Sequence, residues 1–116
     1  MTSKKLVKTI ANLMLDKKAN DIMIIEVDKL TTLTDYFINC SSNSDPQTKA
    51  IKDHIYKNLS KNKIKPINIE GNEHLKWVLL DYVDVVVNVF NKEQREYYNI
   101  ERLWSDAKIE IIRESQ

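Results

Sequence analysis

The stretch WVLLDYVDVVVNVF, at positions 77–90, is the feature of the sequence that most constrains the fold. It contains two aliphatic, largely β-branched runs around a short polar break, a pattern that predicts two antiparallel strands joined by a tight turn. If Tyr82 and Val83 form a two-residue loop, one face of this hairpin is entirely apolar and must lie in a core: Val78, Leu80, Val85, Val87 and Val89. The opposite face has Trp77 directly across from Asn88. That face is predicted either to lie under a helix or to form an exposed contact surface.

The same register places Asp81 directly opposite Asp84, with Cβ atoms roughly 5 Å apart, which is close enough to hold a metal ion. Two-metal phosphoryl chemistry needs a third acid, commonly as acid-x-acid on one strand, and backbone amides that cradle a phosphate. Residues 84–86 read Asp-Val-Val, and the only glycine of the chain, Gly71, lies outside the serine-rich segment NCSSNSD. We therefore expect no catalytic centre and no metal site here. A nucleotidyltransferase-like enzyme that uses both aspartates is the alternative.

The sequence also predicts structural roles for the other reactive side chains. Cys40 is the only cysteine, which excludes an intramolecular disulfide and fits a reducing cytoplasm. It lies in an apolar strand, where a buried, inert thiol is the common case, and a nucleophile with His54 as its base is the alternative. His54 lies near the apolar stripe of a predicted helix, and His74 lies in a polar loop. The sequence therefore predicts no metal ion and no cofactor.

Hydrophobic periodicity and turn signals predict the remaining elements. In chain order they are a helix at 3–15, strands at 21–27 and 35–41, a helix from a cap at Ser44 or Asp45 to about 62, a strand at 66–71, the hairpin, one or two short helices after Phe90, and KIEII as a candidate strand. Strand, helix and strand in that order predict a right-handed crossover between parallel neighbours. The fold class is α/β (α+β): a mixed, about five-stranded sheet flanked by helices, in a single domain spanning residues 1–116.

Charge gives this chain no general attraction to polyanions. The formal net charge is +1, so any contact with nucleic acid would have to be local. Most lysines are interpreted as solvated, and a generic RNA-binding module that uses them is an alternative. Lysines interrupt the N-terminal segment MTSKKLVKTIANLMLDKKAND, which excludes a signal peptide or a membrane span. We expect a cytoplasmic protein without membrane association and with at most peripheral RNA contact.

Several segments together resemble the ribosomal silencing factor family, also called the iojap family. The matching segments are DIMIIEV, LTDYFINCS with the turn SSNS, QTKAI, the Glu70-Gly71 pair, WVLLDYVDVVVNVF, and REYYNIERLW with Asp106-Ala107 beyond it. They occur in the order of the family and cover roughly residues 6–107. No single segment is diagnostic, but the combination is specific.

The resemblance implies a translation repressor and not an enzyme. Members of the family bind the large ribosomal subunit through ribosomal protein L-fourteen, block joining of the small subunit and lower translation when nutrients are limiting. Their fold resembles that of nucleotidyltransferases, which would explain the paired aspartates. Carried over position by position, the resemblance implies a contact surface for L-fourteen with these residues, the last two at its edge: Trp77, Tyr82, Asn88, Tyr98, Asp81 and Asp84.

This chain departs from the family pattern at two positions. Val83 stands where the family usually has glycine, and a β-branched residue resists the positive φ of a tight turn, so the loop is expected to be reshaped or longer. Asn88 stands where the family usually has histidine, which keeps hydrogen bonding but excludes a positive charge. An exposed face around Trp77 also predicts a weak homodimer when the ribosome is absent.

Overall fold

A computed structural model describes residues 1–98, 102 and 104–113, with only the backbone for residues 96–98. The described elements are α1 (Ser3–Asp16), β1 (Asn20–Glu26), β2 (Tyr36–Ser42), α2 (Asp45–Lys61), β3 (Asn68–Glu70), β4 (Trp77–Asp81), β5 (Val85–Asn91), α3 (Lys92–Tyr98) and β6 (Lys108–Ile112). The bounds of the two long helices and of the central strands agree with the sequence prediction to within one or two residues. In the described part of the chain, no helix is long and apolar enough to cross a membrane.

The strands form one mixed sheet with the order β3-β4-β5-β2-β1-β6. The pairing of β2 with β5 is parallel, and the other four pairings are antiparallel. The predicted mixed α/β class is therefore confirmed. The sheet has six strands where about five were expected, because the segment KIEII forms β6 and pairs with β1.

The predicted crossover to a parallel neighbour is wrong in its destination. After β2 and α2 the chain passes to β3, which lies at the far edge of the described sheet and pairs with β4. The parallel neighbour of β2 is β5, whose run Val85–Asn91 is largely buried on both faces, whereas all three residues of β3 are exposed. A continuous apolar run suits a central strand, and a short polar strand suits an edge.

Side-chain caps begin both long helices. Thr2 Oγ1 accepts a hydrogen bond from the Lys5 amide at 3.1 Å, and Ser44 Oγ accepts one from the Gln47 amide at 3.2 Å. Of the two predicted caps for α2, the structure uses Ser44, and Pro46 lies in the first turn, where its missing N–H costs nothing. The caps thus set the start of the helices whose apolar stripes cover the sheet.

The hydrophobic core lies between α1, α2 and one face of the sheet, which we call the core face. The helices contact each other and this face. All five valines and leucines predicted for the core face of the hairpin are fully buried: Val78, Leu80, Val85, Val87 and Val89. Side chains of the opposite face, which we call the second face, alternate with them along each strand.

The register of the β4-β5 hairpin differs from the prediction by two residues. Asp81 pairs with Val86 and Trp77 pairs with Phe90, so the predicted opposition of Asp81 to Asp84 is wrong. The Tyr82 amide donates to the Val85 carbonyl at 2.9 Å, which places the loop at residues 83–84. Because side chains alternate with a period of two, a shift of two residues leaves every side chain on its predicted face.

The loop is reshaped around Val83, whose φ of +74° lies in the region that favours glycine. The Asp84 amide donates to the Tyr82 carbonyl at 2.9 Å, which is the pattern of a strained γ-turn centred on Val83. Asp81 Oδ1 accepts a hydrogen bond from the Val83 amide at 2.8 Å, and the Asp84 carbonyl accepts from the Asp35 and Tyr36 amides at 3.0 and 3.1 Å. These bonds hold the strained loop in place.

We predict that Val83→Gly stabilises the protein. Relief of strain at a β-branched residue with positive φ is worth about 1–3 kcal/mol, and the greater freedom of glycine in the unfolded chain costs about 0.5–1 kcal/mol. The expected net gain is about 1 kcal/mol, seen as a midpoint of thermal unfolding about 4 °C higher. Val86→Gly, within β5, is the matched control and should lower the midpoint. A Val83→Gly variant no more stable than the parent would contradict the strain at this loop.

Candidate partner-binding surface

The second face of the sheet carries three of the side chains that the sequence singled out, which are Trp77, Asp81 and Asn88. The strand registers align three central strands on this face, each contributing three side chains: Trp77, Leu79 and Asp81 from β4, Val86, Asn88 and Phe90 from β5, and Phe37, Asn39 and Ser41 from β2. This face mixes apolar and polar groups, unlike the uniformly apolar core face. Its chemistry is therefore that of a partly covered surface and not of a second core.

The segment after β5 covers part of the second face. Arg95, on α3, donates from Nη1 to Ser41 Oγ at 3.0 Å, and the ring of Trp104 lies 5.4 Å from that of Phe37. Phe90 is fully buried. Trp77, Leu79 and other side chains toward the β4 side remain partly accessible. The two interpretations of this face from the sequence, helical cover and exposed contact, each apply to a part of it.

Two contacts with residues that the structure describes hold the indole of Trp77 at the boundary between the covered and accessible parts. Its ring stacks on the ring of Phe90, with centroids 5.1 Å apart and planes 28° apart. Its Nε1–H donates to Asn88 Oδ1 at 2.9 Å. Trp77 and Asn88 are therefore in contact as predicted, although diagonally across the strands and not directly opposite.

A second asparagine extends this contact into the sheet. Asn88 Nδ2 donates to Asn39 Oδ1 at 2.9 Å, and the two residues are direct neighbours in the parallel β2-β5 pairing. Asn88 is 1% exposed and Asn39 is fully buried. Among the residues that the structure describes, Asn39 Nδ2 has no hydrogen-bond partner. Sequence reasoning did not select Asn39, and the only signal was a polar residue inside the apolar segment YFINCS.

A cleft of about 190 Å³ opens beside Trp77, lined by Glu70, Gly71, His74, Lys76, Trp77 and Leu79. Gly71 has a φ of +79°, and a Cβ added there would lie 1.8 Å from the carbonyl oxygen of Trp77. Only glycine fits this position, because any side chain would collide with the backbone of β4. Because the backbone of Gly71 lies so close to that of Trp77, the wall of the cleft that contains Gly71 packs directly against β4.

An ionic contact anchors the start of β4 beside this cleft. Lys76 Nζ donates to both carboxylate oxygens of Asp45 at 3.0 and 3.1 Å, and Asn91 Nδ2 donates to Asp45 Oδ1 at 3.2 Å. These contacts, the Lys76 hydrogen bond foremost, hold the pKa of Asp45 below its usual value. The backbone of Asn91 also donates to the Lys76 carbonyl at 2.8 Å. The charge of Lys76 is thereby compensated within the protein.

The six residues implied by the resemblance do not share one surface. Tyr82 lies in the cluster on the core face and is 6% exposed, whereas Trp77 lies on the second face. Asn88 lies on the second face but is too buried for direct contact. Asp81 is partly exposed and Asp84 exposed, at the hairpin loop. The backbone of Tyr98 ends α3, and its side chain lies outside the described residues.

The chain is similar to proteins of one family over its whole length. The sequence profile described as "Ribosomal silencing factor during starvation" matches residues 1–116. The ribosomal silencing factor of Bacillus subtilis is 40% identical over 109 residues, covering 94% of this chain and 92% of that protein. A mouse protein named "Mitochondrial assembly of ribosomal large subunit protein 1" is 29% identical over 99 residues, covering 83% of this chain and 43% of the mouse protein.

A solved structure shares the fold. The crystal structure of a Chromobacterium violaceum protein matches with a TM-score of 0.88 and 32% identity, covering 98% of this chain and 95% of that one. The order of elements and the mixed sheet are therefore those of a known protein. This match and the sequence matches span the same elements, so they describe one architecture.

Cys40 and His54, the reactive side chains considered in the sequence, make contacts that are typical of structural residues. Cys40 is fully buried on the core face, and burial raises the pKa of its thiol to about 12. The imidazole of His54 contacts Asp16 Oδ2 through Nε2 at 3.0 Å and Asn58 Nδ2 through Nδ1 at 3.1 Å. No group of three or more potential metal-ligating side chains occurs within the described ranges. The burial of Cys40 and the hydrogen bonds of His54 do not support a thiol nucleophile with an imidazole base.

We predict that Cys40 does not react with iodoacetamide in the folded protein at pH 8. Burial excludes the reagent, and the raised pKa leaves almost no thiolate at that pH. Mass spectrometry should show no label after an hour in buffer and one label per chain in denaturant. The variant Ser105→Cys, with a thiol at an exposed position, is the control and should gain one label while folded. Native labelling of Cys40 would contradict the buried position of β2.

Proposed function

The chain belongs to the ribosomal silencing factor family, and from this premise we propose that it represses translation by binding the large ribosomal subunit. The match over residues 1–116 carries the proposal. The bound protein occupies a surface that the small subunit needs, so that joining is blocked sterically. Repression of this kind lowers translation when nutrients are limiting. The site of action is the cytoplasm, where the subunits join.

The partner on the subunit is ribosomal protein L-fourteen, and the docking surface is the accessible part of the second face. Trp77 supports this choice, because a partly exposed aromatic ring beside a cleft is the kind of anchor that dominates binding energies. Leu79 extends the apolar area beside it. Asp81 and Asp84 lie at the rim, where charges affect the rate of association and specificity more than affinity. Tyr98 is a further proposed contact on the grounds of the resemblance.

The protein acts without catalysis. The relatives carry the name of a regulatory factor, which fits this proposal. Asp81 is engaged by the Val83 amide and pairs with Val86, so the two hairpin aspartates do not form the opposed pair that metal-dependent transfer requires. We propose that the repressor requires neither a nucleotide nor a metal ion.

We expect the purified protein to co-sediment with isolated large subunits and to lower the yield of joined ribosomes when small subunits are added. Isolated small subunits are the control and should not carry the protein into the pellet. The variant Asp84→Ala should block joining as well as the parent, because the carboxylate has no catalytic role. Equal binding to both subunits would contradict the proposal, as would a magnesium-dependent turnover of nucleotides that Asp84→Ala abolishes.

Two aromatic residues of the hairpin provide a matched test of the docking surface. Trp77→Ala should weaken binding to large subunits by about 2 kcal/mol, or roughly thirtyfold, because it removes the anchor. Tyr82→Phe should leave binding unchanged, since Tyr82 lies on the core face and its buried hydroxyl has no partner among the described residues. Binding is measured by sedimentation, and circular dichroism checks that both variants fold. If only Tyr82→Phe weakens binding, the docking surface lies elsewhere.

A further inference from the structure

We propose that Asn39 and Asn88 are positioning residues that orient the indole of Trp77 through a one-way chain of hydrogen bonds. Asn39 is fully buried and Asn88 is 1% exposed, so neither can touch a docked protein. Both act through Trp77. The inference rests on the proposed function for its consequence in binding, but the orientation itself is a property of the free protein.

Stacking alone leaves the indole with two orientations. The contact with Phe90 sets the plane of the Trp77 ring, with centroids 5.1 Å apart. An indole turned over about its Cβ–Cγ bond lies in the same plane, so contact of its face with Phe90 does not by itself fix which edge carries Nε1. The hydrogen bond from Nε1 to Asn88 Oδ1, at 2.9 Å, is specific to one edge. It therefore selects which edge of the indole faces the adjoining cleft.

The direction of these hydrogen bonds follows from the chemistry of the Trp77 indole, which is the first group in the series. The indole is a donor only, so Asn88 must present its oxygen to Trp77 and its amide group to the other side. Asn39 receives that amide group on Oδ1 at 2.9 Å. If Asn39 offered no acceptor, the Asn88 carboxamide could turn over and present N–H groups to the indole N–H. Asn39 thus fixes the orientation of Asn88, as Asn88 fixes that of Trp77.

The series of hydrogen bonds ends at Asn39, whose Nδ2 group, unpaired among the described residues, is not explained by stability alone. Asn39 Nδ2 is buried without a partner in the described part of the structure, and an unsatisfied buried donor opposes folding. On the same face, the nearest neighbours of position 39 are Phe37 and Ser41 along β2, and Val86 lies beside Phe37 on β5. An apolar side chain at position 39 would avoid the unpaired donor. What the asparagine supplies is an oriented acceptor for Asn88.

The first test measures hydrogen exchange of the indole N–H groups in the free protein by nuclear magnetic resonance. Two indole signals are expected, and the one that is lost in Trp77→Phe belongs to Trp77. In the parent protein this N–H should exchange at least tenfold more slowly than an exposed indole. In Asn39→Leu its exchange should become about fivefold faster, the loss of one hydrogen bond of typical net strength. Asn39→Val, which is smaller and favours strands, is the second variant.

The matched control removes a buried polar contact from the same strand on the opposite face. Ser42, three residues further along β2 and therefore on the core face, shares a hydrogen bond with Thr48 of α2. Ser42→Ala should lower stability while leaving the exchange of the Trp77 indole unchanged. Equal acceleration in Ser42→Ala and Asn39→Leu would mean general loosening and would overturn the positioning role. An unprotected Trp77 N–H in the parent would overturn it directly.

The second test is a double-mutant cycle on binding to large subunits. Asn39→Leu should weaken binding about fivefold in the parent and less than twofold in the Trp77→Phe background, because its effect passes through the indole N–H. Equal losses in both backgrounds would overturn the positioning role. A parent protein that does not bind large subunits would overturn the proposed function and the docking role together, and the exchange measurement would still decide whether the asparagines orient the indole.

Discussion

The parallel pairing of β2 with β5 is the interaction on which the rest of the structure depends. It joins two antiparallel halves, β3-β4-β5 and β2-β1-β6, into one sheet. Parallel strands require cover on both faces. Helices α1 and α2 supply it on the core face, and α3 with Trp104 supplies part of it on the second face. The Asp84 carbonyl accepts hydrogen bonds from the Asp35 and Tyr36 amides, and these bonds connect the strained hairpin loop to the start of β2.

The pairing of β2 with β5 also brings together the residues of the candidate binding surface. The indole of Trp77 belongs to one half of the sheet and Asn39 to the other, and the hydrogen bonds through Asn88 cross the joint between them. The orientation of an accessible side chain is thereby tied to the register of two central strands. The residue at position 88 must accept on one side and donate on the other. A neutral histidine, which the family resemblance leads one to expect there, offers the same combination as asparagine.

The errors in the sequence prediction have identifiable physical causes. The faces of the hairpin were predicted correctly, because any even change of register preserves the alternation of side chains. Its exact pairs were not, because the Tyr82 amide pairs with the Val85 carbonyl, which places the loop at residues 83–84 and not at 82–83. Tyr82 was predicted as a loop residue, whereas its backbone continues the pairing of β4 with Val85. Asn39 was missed because no periodicity marks one polar residue in a buried strand.

The sequence by itself determined the local elements, the apolar face of each and the family to which the segments belong, since these depend on side-chain spacing and on caps such as Thr2 and Ser44. It did not determine which strand lies beside which. Strand order depends on contacts between residues far apart in the chain, and the exposed strand after α2 could not be distinguished from a central neighbour of β2 by local pattern alone. Only the tertiary structure placed β5 there, and with it brought Asn39 to Asn88 and oriented Trp77 toward the cleft beside Gly71.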